Sequence, residues 1–66
     1  MTIDRIKIDT LLAERGMTHV MLSKNSGVSR QSISTILKRG TCEPKTAGKL
    51  AGGLGVPVSD IIAKEA

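Results

Sequence analysis

Apolar residues along this 66-residue chain recur at helical spacing in five short runs separated by glycines. Ile8, Leu11 and Leu12 share one face of a first helix, with Arg15 on the same side. Asp4 stands where an N-cap belongs, and Ile3 and Ile8 have the spacing of a hydrophobic staple. Gly16 closes that helix near Arg15. Ile3, Ile6 and Ile8 are β-branched, so a short extended start competes with the helix; the helix is the preferred reading. Thr18 caps a second helix, in which Leu22 and the small Ser23 face inward and Val20 or Met21 fills beside them. Gly27 then provides a turn that tolerates positive φ. Ser29 caps a third helix, which runs to about Arg39 and ends at Gly40. Thr41-Cys42-Glu43-Pro44 is a loop. A fourth helix runs from Pro44 or Lys45 to Leu54, with Ala47, Leu50, Ala51 and Leu54 inward and Gly55 as its end. Gly48, Gly52 and Gly53 weaken it by about 1 kcal/mol each relative to Ala, as close-packing sites or as tolerated positions. A last short helix, Val58 to Lys64, starts at Pro57 or Ser59 and packs by Val58, Ile61 and Ile62.

The third helix carries the chemistry. At about 100° per residue, Ile33, Ile36 and Leu37 gather on one arc. Gln31, Lys38 and Thr35 fall opposite, flanked by Ser34, Ser32 and Arg39, while Arg30 lies in the first turn. That wet side consists of donors, acceptors and cations. Gln can bond adenine through both amide groups, Arg can grip guanine O6 and N7, and Thr or Ser can hydrogen-bond or, for Thr, set a methyl against thymine. Any surface helix has a polar side; the short helix, Gly27 turn and Ser29 cap before it distinguish this one. When two helices are joined by such a turn, the N-terminal end of the second points at base edges in the major groove of duplex DNA.

Composition and charge sharpen the picture. The chain has no Phe, Trp or Tyr. Its core is therefore aliphatic, and modes of nucleic-acid binding that stack bases on aromatic rings are disfavoured. The formal charge is +4. Between Arg15 and Lys49 seven cations (Arg15, Lys24, Arg30, Lys38, Arg39, Lys45, Lys49) face one acid, Glu43, whereas the remainder carries three cations and five acids. Positive charge thus lies where the turn lies, as a phosphate-facing surface requires.

From Ile6 to Ile62 the chain resembles the Cro/CI-type (Xre-like) helix-turn-helix family. The resemblance rests on Leu12-Ala13-Glu14-Arg15-Gly16-Met17-Thr18, Leu22, Ser26-Gly27-Val28-Ser29-Arg30, Ile33-Ser34, Ile36, Gly40, Pro44, Leu50-Ala51, Leu54-Gly55-Val56 and Asp60-Ile61-Ile62. It implies an all-α, compact five-helix, lambda-repressor-like domain spanning residues 1–66, with the helix-turn-helix at the second and third helices. It also implies a transcriptional regulator that binds double-stranded operator DNA, usually as a homodimer on a pseudo-palindrome. By position the base-reading residues fall on Arg30, Gln31 and Thr35, and Ser34 joins them from the polar arc. The phosphate contact at the start of the second helix falls on His19, where Gln is more usual. Thr18, Ser29, Ser32, Lys38, Arg39, Lys45 and Thr46 complete the expected phosphate contacts. Leu37 and Lys38 stand where the pattern usually has an acid. The chain has one extra residue between Ile36 and Gly40, and a shortened stretch from Pro44 to Leu50.

Other functions find little support. His19 stands alone and only Cys42 could join it, so neither a metal site nor any other cofactor is expected. Cys42 is a plain free thiol with no intrachain disulfide. Met17 and Met21 are core filler. Gly52-Gly53-Leu54-Gly55 lacks the Lys of a phosphate loop. The serines from Ser29 to Ser34 have no accompanying triad, so no enzyme is expected. No signal peptide, membrane-length apolar run or ligand domain is expected, which fits a soluble cytoplasmic protein. A rival reading is a protein-interaction module, such as the antitoxin of a toxin–antitoxin pair; an exposed apolar patch outside the core would favour it. Val56, Val58, Ile61 and Ile62 serve either the core or a dimer surface.

Overall fold

The computed structural model describes residues 1–63. Four α-helices follow one another: α1 (Arg5–Arg15), α2 (His19–Ser26), α3 (Arg30–Arg39) and α4 (Pro44–Leu54), then a single 3₁₀ turn at Val58–Asp60. Each α-helix ends at a glycine in the left-handed region, Gly16, Gly27, Gly40 and Gly55, where a side chain would be strained.

The starts are equally well marked. The Asp4 carboxylate accepts hydrogen bonds from the Ile6 and Lys7 N–H groups at 3.0 and 3.2 Å. Thr18 Oγ1 accepts from Met21 N–H and Ser29 Oγ from Ser32 N–H, both at 3.2 Å. Such caps contribute about 1 kcal/mol each by satisfying otherwise orphaned donors. Glu43 precedes α4 without a capping bond from its side chain, and Pro44 takes the first helical position, where its missing N–H costs nothing.

Among the described residues thirteen buried aliphatic side chains form one core: Ile3, Ile8, Leu12, Leu22, Val28, Ile33, Ile36, Leu37, Ala47, Leu50, Ala51, Leu54 and Ile61. Ile3 and Ile8 are both buried, as a staple across the start of α1 requires. α2 packs most extensively on α4, then on α3, and the 3₁₀ turn packs on α4. Gly53 explains how α2 and α4 come so close, because a Cβ there would stand 2.7 Å from Ser26 Cβ. Gly48 and Gly52 have nothing within 4 Å of such a Cβ and are merely tolerated.

Several expectations are corrected. Among the described residues there are four α-helices and one 3₁₀ turn instead of five helices. The proposed last helix from Val58 to Lys64 stops after Asp60, and Lys64 lies outside the described residues. Beyond Asp60 the backbone is drawn into pairing instead: Asp4 N–H donates to Ile61 C=O at 2.9 Å and Ala63 N–H to Thr2 C=O at 3.1 Å. On its other side the N-terminal segment donates from Ile3 N–H to Gly40 C=O at 2.8 Å and accepts at Met1 C=O from Cys42 N–H at 3.0 Å. Isolated bridges Thr2–Thr41 and Ile3–Ile62 result, and no longer strand occurs among the described residues. The extended start and the helix therefore coexist, divided at Asp4. Val20 and Met21 do not fill the core; they are 40% and 45% exposed, because α4 and α3 claim only the Leu22 side of this short helix. Met17 is half-buried against the core. Arg15 is exposed and not part of the buried face of α1. Ile61 belongs to the core, with Val56, Val58 and Ile62 half-buried against it.

Candidate nucleic-acid interface

The turn between α2 and α3 is held by local bonds. Gly27 N–H donates to Ser23 C=O at 3.0 Å, Val28 N–H donates to Ser26 Oγ at 3.2 Å, and the Val28 side chain is buried. These fix the direction in which α3 leaves. Ile33, Ile36 and Leu37 anchor α3 to the body, so its opposite side projects outward. Arg30, Gln31, Ser32, Ser34, Thr35, Lys38 and Arg39 are all exposed.

An open concavity of about 980 Å³ runs beside α3. One wall is α3 itself, through Gln31, Ser32, Thr35 and Arg39; the other is the loop and first turns of α4, through Glu43, Thr46 and Lys49. Ser29, the N-cap of α3, also lines it. The structure therefore brings six expected site residues to one groove: Ser29, Gln31, Ser32, Thr35, Arg39 and Thr46. Arg30, Ser34 and Lys38 lie on the same helix but outside the groove lining. Lys45 is exposed on α4 and also does not line it. Thr18 caps α2 and His19 begins it; both are exposed and neither lines the groove.

Lys49 is the groove residue that sequence reasoning overlooked. It follows Thr46 by three residues, so both fall on one side of α4, a spacing the sequence already contained. Lys45 and Thr46, by contrast, are adjacent and point apart.

Hydrogen bonds within α3 narrow what each hydroxyl can do. Thr35 donates its hydroxyl proton to Gln31 C=O at 2.9 Å. That leaves Thr35 an acceptor and a methyl group to offer a ligand. Ser29 donates to Ser32 Oγ at 2.9 Å while capping the helix. The hydroxyl proton free for an outside acceptor on this pair is therefore that of Ser32. Gln31 and Arg30 keep all their side-chain donors uncommitted to other described residues. A row of amide, hydroxyl and guanidinium groups on a protruding helix, beside a groove carrying Arg39 and Lys49, is suited to a ligand with edge donors and acceptors and a polyanionic backbone.

Cys42 lines the same groove and is half-buried. Burial pushes its thiol above the ordinary value of 9.0; the nearby N-terminal ammonium opposes this and Glu43 adds to it. A thiol held protonated is a poor nucleophile. Among the described residues no group of three or more His, Cys, Asp or Glu side chains could hold a metal ion. No helix among them is long and apolar enough to cross a membrane.

A family model described as helix-turn-helix matches residues 8–61, which takes in α2, the turn and α3 with most of their supporting helices. No curated protein and no solved structure matches the chain.

Proposed function

From the premise that this chain belongs to the Cro/CI-type helix-turn-helix family, a DNA-binding family and not an enzyme family, we propose a sequence-specific transcriptional regulator of double-stranded DNA. It acts as a repressor, as a homodimer on a pseudo-palindromic operator. The observation that supports this most is the outward side of α3, seven exposed polar and cationic residues beside a groove with Arg39 and Lys49 on opposite walls. Arg30, Gln31, Ser34 and Thr35 read base edges. Thr18, His19, Ser29, Ser32, Lys38, Arg39, Lys45 and Thr46, joined by Lys49, engage phosphates and fix the register, Ser29 through its backbone N–H because Ser32 Oγ holds its hydroxyl proton.

Salt dependence tests this directly. With six to ten phosphate contacts, affinity for duplex DNA falls by about 10³ to 10⁵ between 50 and 200 mM salt. Weak duplex binding at every salt concentration would refute the reading.

A second reading draws on a separate observation. Ile6 is 76% exposed on α1, above a shallow depression lined also by Lys7, Thr10, Leu11 and Asp60, and Val20 and Met21 are exposed on α2. Apolar side chains outside the core are what a protein-interaction module, such as an antitoxin, would present. Such a module would bind its partner while binding duplex DNA weakly.

A further inference from the structure

The groove beside α3 holds a carboxylate that the proposed function does not use. Glu43 is the one acid between Arg15 and Lys49, and it lines the groove together with Arg39 and Lys49. It occupies the N-cap of α4, yet its side chain makes no capping hydrogen bond. It is exposed, and the single salt bridge among the described residues joins Arg5 to Asp9 on α1. Its contribution to the fold is thus limited to the favourable placement of negative charge at a helix start.

Toward DNA its effect is larger. Duplexes of every sequence present phosphates, which a carboxylate repels. The groups on a duplex that can satisfy a carboxylate are amino donors at base edges, cytosine N4 and adenine N6 in the major groove. Discrimination between partners arises as readily from repulsion in the wrong complex as from attraction in the right one.

We propose that Glu43 is a specificity-determining residue. It weakens binding in registers that set it against phosphates. In the register fixed by the base contacts of α3, Arg39 and Lys49 of the same groove hold the nearest phosphates, and the penalty is small. The inference rests on the DNA-binding reading above.

The test compares wild type, Glu43→Gln and Glu43→Asp on random-sequence duplex and on an operator selected from a random pool by the wild-type protein. Glu43→Gln should bind random duplex about three- to tenfold more tightly at low salt. Its operator affinity should rise by less, so that the ratio of operator to random affinity falls. Glu43→Asp keeps the charge and should keep the wild-type ratio. Unchanged random-duplex affinity in Glu43→Gln, or an equal rise on both DNAs, would overturn the inference while leaving the DNA-binding reading standing. A wild-type protein that binds neither duplex would instead remove that reading, and this inference with it.

Discussion

One methyl group added at Gly53 tests how the helix-turn-helix is seated on α4. A Cβ there would lie 2.7 Å from Ser26 Cβ, 2.9 Å from Ser26 N and 3.0 Å from Ser26 Cα. Two of those three atoms are backbone, so no rotamer change relieves the contact; α2 and α4 must move apart. Ser26 ends α2 and its hydroxyl holds the turn through Val28 N–H, so the shift reaches the start of α3. Overpacking of this kind costs about 1–3 kcal/mol. Replacing a helical glycine by alanine returns about 1 kcal/mol through propensity. The net effect of Gly53→Ala is then a loss of up to about 2 kcal/mol. At Gly48 and Gly52, with nothing within 4 Å, the same change should stabilise by about 0.5–1 kcal/mol. In a domain of this size 1 kcal/mol moves Tm by about 4–8 °C, so the variants separate clearly. The chain has no Trp, Tyr or Phe, which makes far-UV circular dichroism the natural thermal assay. Gly48→Ala and Gly52→Ala should melt above wild type, and Gly53→Ala at or below it. A Gly53→Ala protein melting as high as Gly52→Ala would refute the close approach of α2 to α4.

Two further outcomes follow from hydrogen bonds and burial. Because Thr35 spends its hydroxyl proton on Gln31 C=O, its methyl group and not a donated bond should serve recognition; Thr35→Val should hold operator affinity within about threefold, whereas Thr35→Ala should lose about 1 kcal/mol or more, both read by titration of a selected operator. Burial raises the Cys42 thiol in the folded protein, so the folded state keeps the proton to higher pH than the unfolded one. The associated stability is complete below the unfolded value and lost as pH rises through the folded one. Alkylation by iodoacetamide at mildly alkaline pH should accordingly be slower in the folded protein than in urea; equal rates would contradict the burial.

Much of this architecture is legible in the sequence, for physical reasons that can be named. Asp4, Thr18 and Ser29 are short acceptors placed where a helix has orphan donors, and Gly16, Gly27, Gly40 and Gly55 mark the left-handed ends. Ile33, Ile36 and Leu37 share an arc, which fixed the outward side of α3. The failures have causes too. Val20 and Met21 suggest core by sequence because apolar character says nothing about which neighbours arrive, and an eight-residue helix offers them too narrow a contact. The sequence over-extends the last helix because Ile61 and Ile62 fit a helical face as well as a strand; their pairing with Asp4 and Ile3, more than fifty residues away in sequence, is a tertiary effect that local pattern does not carry. The sequence points to Lys45 and Thr46 at the start of α4 but not to Lys49, because only the packing of α4 beside α3 shows that the Thr46 side of the helix lines the groove.

The central claim is that α3 reads base edges while the flanking cations only position it. The most direct measurement is the affinity of Gln31→Ala, beside Lys38→Ala, for the selected operator and for random duplex at one salt concentration. Gln31→Ala should lose about 1–3 kcal/mol on the operator and little on random DNA, and Lys38→Ala should weaken both alike. Equal losses on both DNAs for Gln31→Ala would contradict the account.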